Sequence, residues 1–545
     1  MNPTCEELSS LRAAYLVLVA HDGAATAMAL LLFGSVLAVL TAPAVLRAYA
    51  EQVRRLMLLR QVEAPPDVWK NRQRRRVRRS NGAVAATAFP TTPSFAELDV
   101  ARVGRRAVIK RATWIAYGVF VLGSSVIVKT AGSIATRDVI GFLLSVPALA
   151  VVPALVNLRP QGSKTRILIG MIALGVILAI LEPDQDAGLD NAIGVPLSMG
   201  ALYYVTSHRT LRSVVALMTA WLTAALTGVL AAIWFIVPTV ACLDQRADGI
   251  TWAVANGQIV VGLAVFTTCY YLGNKAILGL ARLHERGVVS DISLAAVVGL
   301  VLIALLLAAA FTYGGSLPEW QVAVLTCAWV GTALVAYALT IRRSAHHRAQ
   351  RSLLMLRVFS SSAKSHSLLD SVQAEWRAIG PVYQIAGPDL ARLNVDASEL
   401  SHFMTGRLHE IFLLGETSHE DLAPYLNDAS DLEGRFRVNE VFCLESAWRN
   451  TVEQLMVRSD AIALDVRGFH PRRDGTGFEI ELLARHRLLS RVLAVGDDRT
   501  DWHDLEERIR NAGGVPADMR RADAAGGDVE ALTSALMQGA TRTAT

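Results

Sequence analysis

The stretch Ser459–Asp498, SDAIALDVRGFHPRRDGTGFEIELLARHRLLSRVLAVGDD, decides how the second part of the chain is built. It begins with an apolar run of strand length and continues through a loop rich in glycine and charge. A helical pattern and a second apolar run follow. An apolar strand, a helix and another apolar strand in this order are typical of a β-α-β unit with two parallel strands. The stretch therefore predicts an α/β domain with a mainly parallel sheet.

The same alternation extends on both sides of this stretch. Further strands are predicted at 352–360, 382–387 and 435–444, and further helices at 365–380, 396–429, 446–459, 501–513 and 528–540. Sheets of this kind bind ligands outside the carboxyl ends of their strands. We therefore expect a flavodoxin-like α/β domain over 352–545, with ligand loops after residues 385 and 464.

These two loops carry most of the candidate ligand-binding residues. Glycines let a backbone approach a ligand closely, and the N-terminus of the helix that follows favours an anion. A plain N-cap role for Asp474 or Thr476 is the alternative. The ligand-binding candidates are Arg357, Gly387, Asp389, Asp465, Arg467, Asp474, Gly475, Thr476 and Gly477, and Arg472 and Arg473 are further sources of anion contacts.

The quoted stretch resembles a segment of nucleoside 2-deoxyribosyltransferases and of the related TIR-type NAD-cleaving domains. In those families a strand leads through an Asp/Gly-rich loop into a helix that carries a glutamate. The transferase pattern G-T-x-x-E matches GTGFE at 475–479. The resemblance covers about forty residues, and it implies that Glu479 engages the ribose of a nucleotide or nucleoside. It also implies a TIR-like fold for the domain.

Cleavage of an N-glycosidic bond needs a carboxylate near the anomeric carbon, where positive charge develops. Glu479 is the catalytic candidate, and a helix-surface glutamate is the alternative interpretation. Glu481, two residues further on, faces elsewhere on a helix. Trp376 or Phe469 can stack on a base, although a core position is the ordinary role of a tryptophan such as Trp376.

The chain before residue 350 has a different character. Hydrophobic residues make up 52% of the whole chain and charged residues 19%, which is typical of a membrane protein. Runs near the length of a bilayer-spanning helix, about 20 residues, predict a nine-span bundle. The predicted spans are 25–46, 112–130, 138–157, 167–182, 191–207, 213–238, 251–273, 291–314 and 320–341.

The loop charges between these runs alternate between basic and acidic or uncharged. Because basic loops stay in the cytoplasm, the pattern predicts an inner (plasma) membrane protein with an outside N-terminus and a cytoplasmic C-terminal domain. The predicted organisation is an extracytoplasmic 1–24, a bundle over 25–341 with a basic cytoplasmic loop at 47–111, a basic linker at 342–351 and the α/β domain.

Charge is unevenly distributed along the chain. Residues 51–111 hold 15 Lys/Arg against 5 Asp/Glu, whereas residues 352–545 hold 21 against 30. The basic loop is expected to set topology and contact anionic lipid. Docking of this loop on a nucleic acid or on the acidic C-terminal domain is the alternative.

Several classes of site are missing from the sequence. The five cysteines form no C-x-x-C pair, and the twelve histidines form no H-E-x-x-H, so neither a metal nor a resident cofactor is predicted. The expected partners are the lipid bilayer, a nucleotide ligand and a second copy of the chain, and no specific nucleic acid. The leading hypothesis is a membrane-anchored signalling or stress-response protein that binds or cleaves a nucleotide such as NAD. A non-catalytic scaffold is the alternative, and a transporter has the least support.

Overall fold

The computed structural model describes residues 23–58, 94–131, 221–229, 249–285, 331–341, 350–357, 363–386, 397–413, 425–444, 447–470, 474–524 and 528–541, and single residues at 218, 290, 328, 395 and 422. The chain divides into two compact units. The helical unit comprises Met1–Leu46, Ala112–Leu339 and Val395–Ser401. The sheet unit comprises Arg47–Arg111, Thr340–Asn394 and His402–Thr545.

Within the described ranges, three long helices precede the sheet. They are α1 (Gly23–Leu58), α2 (Phe95–Ala131) and α3 (Gly249–Glu285). Within the helical unit, the helical residues 221–229 pack against α3. There Trp221 Nε1 donates to Asn274 Oδ1 over 3.2 Å, and its ring meets that of Tyr270 edge-on with centroids 6.0 Å apart.

The predicted membrane bundle is wrong for the part of the chain that the structure describes. No helix there is both long enough and apolar enough to cross a bilayer. The multi-pass topology and the inner-membrane location, which depended on those spans, are corrected with it. The predicted spans 138–157, 167–182, 191–207 and 291–314 lie outside the described residues, and 213–238 and 320–341 are described only in part.

The sheet unit alternates strands with helices, as the sequence predicts. Its elements in chain order are β1 (Leu353–Leu356), α4 (Ala363–Trp376), β2 (Val382–Ile385), α5 (Ala397–Met404, divided between the two units), β3 (Phe412–Leu413), β4 (Val438–Cys443), α6 (Trp448–Arg458), β5 (Ala461–Asp465), α7 (Asp474–Arg485), β6 (Val492–Gly496), α8 (Trp502–Asn511), β7 (Arg520–Asp523) and α9 (Val529–Thr541).

All seven strands pair in parallel, in the order β3-β4-β2-β1-β5-β6-β7. Alternate residues of each central strand face opposite sides of the sheet. Leu354 and Ile462 join the core under α6, α7 and α8, whereas Leu353 and Ala461 join the core under α4 and α9. The sheet is therefore covered by helices on both faces, which explains why β1 and β6 are apolar throughout and β5 is apolar up to Asp465.

The chain reverses its direction of winding between β1 and β5. From β1 it passes through α4 to β2 on one side, and from β5 it passes through α7 to β6 on the other. These two helices cover opposite faces of the sheet. The order β2-β1-β5-β6-β7 is that of flavodoxin-like sheets, and β4 and β3 extend it beyond β2.

Two edge strands and one helical region differ from the sequence prediction. The strand β3 has two residues, and β7 is the charged run Arg520–Asp523 with half-exposed side chains. Neither contains the apolar run that signals a strand. The helix predicted over 396–429 ends at Met404, and a short 3-10 helix and β3 follow it.

The beginning of α2 is part of the sheet unit. Ser94 and Glu97 form a reciprocal cap, because the Ser94 N–H donates to Glu97 Oε2 over 2.6 Å and the Glu97 N–H donates to Ser94 Oγ over 3.3 Å. One turn later Leu98 is fully buried in the core under α4 and α9. A sharp helix start and a core leucine therefore fix this segment to the sheet unit.

Arginines of the same segment contact the sheet unit's acidic groups. Arg102 lies 3.1 Å from Glu530 and 3.7 Å from Glu375. Arg105 Nη1 donates to the carbonyl oxygen of Ala378 over 2.6 Å, and burial lowers the pKa of Arg105 to about 10. These charges, which were predicted to set membrane topology, are instead engaged by groups of the sheet unit.

Candidate functional site

The carboxyl ends of β1 and β5 meet at the reversal point of the sheet. Leu356 pairs with Leu464 in the register of the two strands, so Arg357 and Asp465 follow side by side at the same edge. In doubly wound sheets this is the crevice in which ligands bind. Both residues are buried, with 8% and 1% of their surface exposed. The structure thus brings together two of the predicted ligand-binding residues.

Asp465 is engaged by a neighbour in its own loop. Arg467 donates to it from Nε and Nη2, each over 2.8 Å, and its backbone N–H donates over 3.2 Å. A bidentate arginine–carboxylate pair is among the strongest polar contacts in proteins. These two candidates satisfy each other and shape the loop after β5.

Arg357 is satisfied only in part. Its Nη2 donates to Asp370 Oδ1 of α4 over 2.8 Å. Its Nε and Nη1 are buried and have no hydrogen-bond partner among the residues that the structure describes. A buried guanidinium with open donors is therefore located at the crevice.

Glu479 is buried on α7, the helix that follows β5. Thr476, Glu479, Ile480 and Leu483 recur at helical spacing and form its buried face, and the last two belong to the core beneath the helix. Only 6% of the Glu479 surface is exposed, which excludes the helix-surface interpretation. Burial raises the pKa of Glu479 from 4.5 to about 8.

Glu479 and Glu481 have opposite surroundings. No hydrogen bond or ion pair of Glu479 is found within the described ranges. Glu481 is one-third exposed and pairs with Arg485 at 2.9 Å and with Arg508 at 3.6 Å. The desolvation of Glu479 is therefore uncompensated by any described group, as at many catalytic carboxyls.

The glycines before Glu479 differ in what surrounds them. Gly475 is exposed, and a Cβ there would meet nothing within 4 Å. A Cβ at Gly477 would lie 2.5 Å from Arg508 Nη1, so this glycine gives room to an arginine of α8. Thr476 is 7% exposed and Asp474 is the first residue of α7. The four residues thus form the first turn of the helix, beside the crevice.

Neither aromatic residue that was predicted to stack on a base is accessible. Trp376 and Phe469 are fully buried core residues. Trp448 and Phe478, in the first turns of α6 and α7, meet edge-on with centroids 5.4 Å apart, and Arg449 lies 5.0 Å from the Phe478 ring centroid. Trp448 and Phe478 thus lie in the helices that follow β4 and β5.

A second loop supports the one after β5. The N–H of Gly468, which has a φ of 62°, donates to Asp497 Oδ1 over 2.9 Å. Burial acts to raise the pKa of Asp497, but hydrogen bonds from Gly468, Thr500 and Arg499 outweigh it and hold the pKa below its usual value. Asp497 is therefore a structural carboxylate of this rim.

The remaining candidates Gly387, Asp389, Arg472 and Arg473 lie outside the described residues. Within the described ranges, no group of three His, Cys, Asp or Glu side chains is placed to hold a metal ion. No protein-family model, no curated protein and no solved structure matches this chain. The site must therefore be interpreted from its own geometry.

Proposed function

We propose that the sheet unit binds a ribose-containing ligand such as NAD at the carboxyl ends of β1 and β5 and cleaves its N-glycosidic bond, with Glu479 as the catalytic carboxyl. The observation that carries this proposal is a buried glutamate without a described partner, on the helix that follows a strand at the reversal point. By its resemblance to TIR-type domains, we assign the activity to signalling or stress response.

In this reaction a water oxygen bonds to C1′ while the bond from C1′ to the base nitrogen breaks. With NAD the pyridinium nitrogen takes the bonding electron pair, nicotinamide leaves as a neutral molecule, and the water gives up a proton. The ionised Glu479 stabilises the positive charge that develops on the ribose ring. In the free protein this carboxyl is mainly protonated at pH 7, because its pKa is about 8. A cationic substrate favours the ionised form.

The direct test is base release by the purified full-length chain. NAD and deoxynucleosides are incubated with the protein, and the free base is measured by chromatography. Glu479→Gln removes the charge and should reduce the rate by about 10²–10³-fold. Glu481→Gln is the matched control, because this exposed residue lies on another side of the same helix. Equal rates in the wild type and Glu479→Gln would reject the catalytic role.

A non-catalytic nucleotide-binding scaffold is the second candidate. It is favoured by the Asp465–Arg467 pair, in which two of the predicted ligand residues are occupied by each other. Equilibrium dialysis with NAD separates the two functions. Binding without base release at any pH between 6 and 9 would establish the scaffold.

A further inference from the structure

The strongest unexplained feature of the crevice is the guanidinium of Arg357. An arginine has five N–H donors, and Asp370 accepts from Nη2 only. The side chain is 5% exposed, and Nε and Nη1 are buried without an acceptor among the described residues. Buried donors of a charged group are costly when they are unsatisfied, so each such group calls for an explanation, and at a ligand crevice the ligand itself can supply the acceptor.

Among the described residues, the neighbouring charges do not neutralise Arg357 further. Asp465, the adjacent residue on β5, is held by two nitrogens of Arg467. Glu479 belongs to α7, on the opposite face of the sheet from α4 and its Asp370. An acceptor that arrives with the ligand is thus the missing partner for Nε and Nη1.

We propose that Arg357 binds a phosphate group of the ligand, so that the unit accepts phosphorylated nucleotides in preference to free nucleosides. The proposal rests on the proposed function, and it names the substrate class of the same crevice. Guanidinium groups match the geometry of phosphate oxygens and remain charged at every physiological pH. The ribose is then placed between Arg357, which pairs with α4 on one face of the sheet, and Glu479, which belongs to α7 on the other face.

Arg351 provides a matched comparison at the other end of β1. It also pairs with a single aspartate, Asp460, over 2.8 Å, and its Nε and Nη2 are likewise buried without a described partner. It precedes the strand, however, and so lies at the amino edge of the sheet, away from the crevice. The two arginines differ in location rather than in pairing, which makes Arg351→Ala the control for a general effect of removing a buried arginine.

The experiment compares nicotinamide mononucleotide with nicotinamide riboside, which share one glycosidic bond and differ by one phosphate. The full-length wild type should release nicotinamide from the mononucleotide with a kcat/KM about 10- to 100-fold higher, as expected for one charge-assisted contact. Arg357→Ala should bring this ratio close to one, and Arg351→Ala should retain it. Arg357→Lys, which keeps the charge beside Asp370, should give an intermediate ratio.

A binding readout separates this proposal from the proposed function. The rise in Tm on addition of each compound is measured for the wild type and for every variant, with the ligand-free Tm as the check of folding. A larger shift with the mononucleotide, lost in Arg357→Ala, supports the phosphate contact even if no base is released. Equal shifts with both compounds in the wild type, or a preference that survives in both Arg357 variants, would overturn it.

Discussion

The buried carboxyl of Glu479 should make the stability of the sheet unit depend on pH. Its pKa rises from 4.5 to about 8 on folding because burial disfavours the charged form. Between these two values the folded state binds one proton more than the unfolded state. The free energy of unfolding therefore falls by about 1.4 kcal/mol for each pH unit in this window.

The contribution of the Glu479 carboxyl to the free energy of unfolding is fully present below pH 4.5, and it is lost as the pH rises to about 8. The loss amounts to about 3 kcal/mol at pH 7 and about 5 kcal/mol at pH 9. Domains of ordinary stability have a total of about 5–15 kcal/mol, so the effect is large. Glu479→Gln stays neutral at every pH and should remove this dependence.

Urea unfolding of the full-length chain at pH 5, 7 and 9, followed by tryptophan fluorescence, measures the effect. Between pH 5 and pH 9 the loss grows by about 4 kcal/mol, so for a slope of about 2.5 kcal/mol per molar urea the wild-type midpoint should fall by about 1.5 M relative to Glu479→Gln. Glu481→Gln should follow the wild type. If the wild type and Glu479→Gln change in parallel over this range, the carboxyl is not desolvated and the reasoning fails.

Three further predictions concern catalysis and the construction of the unit. The kcat/KM of base release, which reports the free enzyme, should rise about tenfold per pH unit up to pH 8 and then level off, because the reaction requires the ionised form of Glu479. A flat pH profile of kcat/KM would contradict this. Arg467→Ala should lower the free energy of unfolding by about 3–5 kcal/mol, because it leaves Asp465 buried and unpaired. A loss below about 1 kcal/mol in urea titrations would exclude a buried pair. A fragment of residues 340–545 should gain thermal stability when a peptide of residues 94–111 is added, with a Tm that rises with peptide concentration. No rise in Tm at millimolar peptide would show that the beginning of α2 does not complete the core.

Local sequence pattern was sufficient for the architecture of the central sheet. The runs at β1, β2, β4, β5 and β6 were predicted as strands because a strand covered on both faces is rich in apolar residues, even where β2 and β4 carry a few polar side chains. The edge strands β3 and β7 escaped notice, since one has two residues and the other is charged. Edge strands are stabilised by their neighbours in the sheet, and their own residues carry little signal.

Local sequence pattern gave a wrong prediction where charge and hydropathy were interpreted without knowing which residues the side chains contact. Apolar windows and basic loops predicted a membrane bundle, yet no helix within the described ranges can span a bilayer. Arg102 and Arg105, counted as topology signals, lie against Glu530, Glu375 and the carbonyl of Ala378. A loop charge looks the same in sequence whether it faces lipid, solvent or a carboxylate several hundred positions away.

The candidate site divides in the same way between what the sequence predicted and what packing decided. The G-T-x-x-E pattern placed Glu479 on a helix after a strand, and the apolar run before Asp465 placed that residue at the start of a ligand loop. Arg357 was predicted inside a strand over 352–360, and the structure ends that strand at Leu356. Only packing decided that Glu479 is buried without a described partner, that Asp465 is occupied by Arg467, and that Arg357 retains open donors. Periodicity is a property of neighbouring residues, whereas burial and pairing depend on which distant elements meet, and that is determined by the assembled sheet.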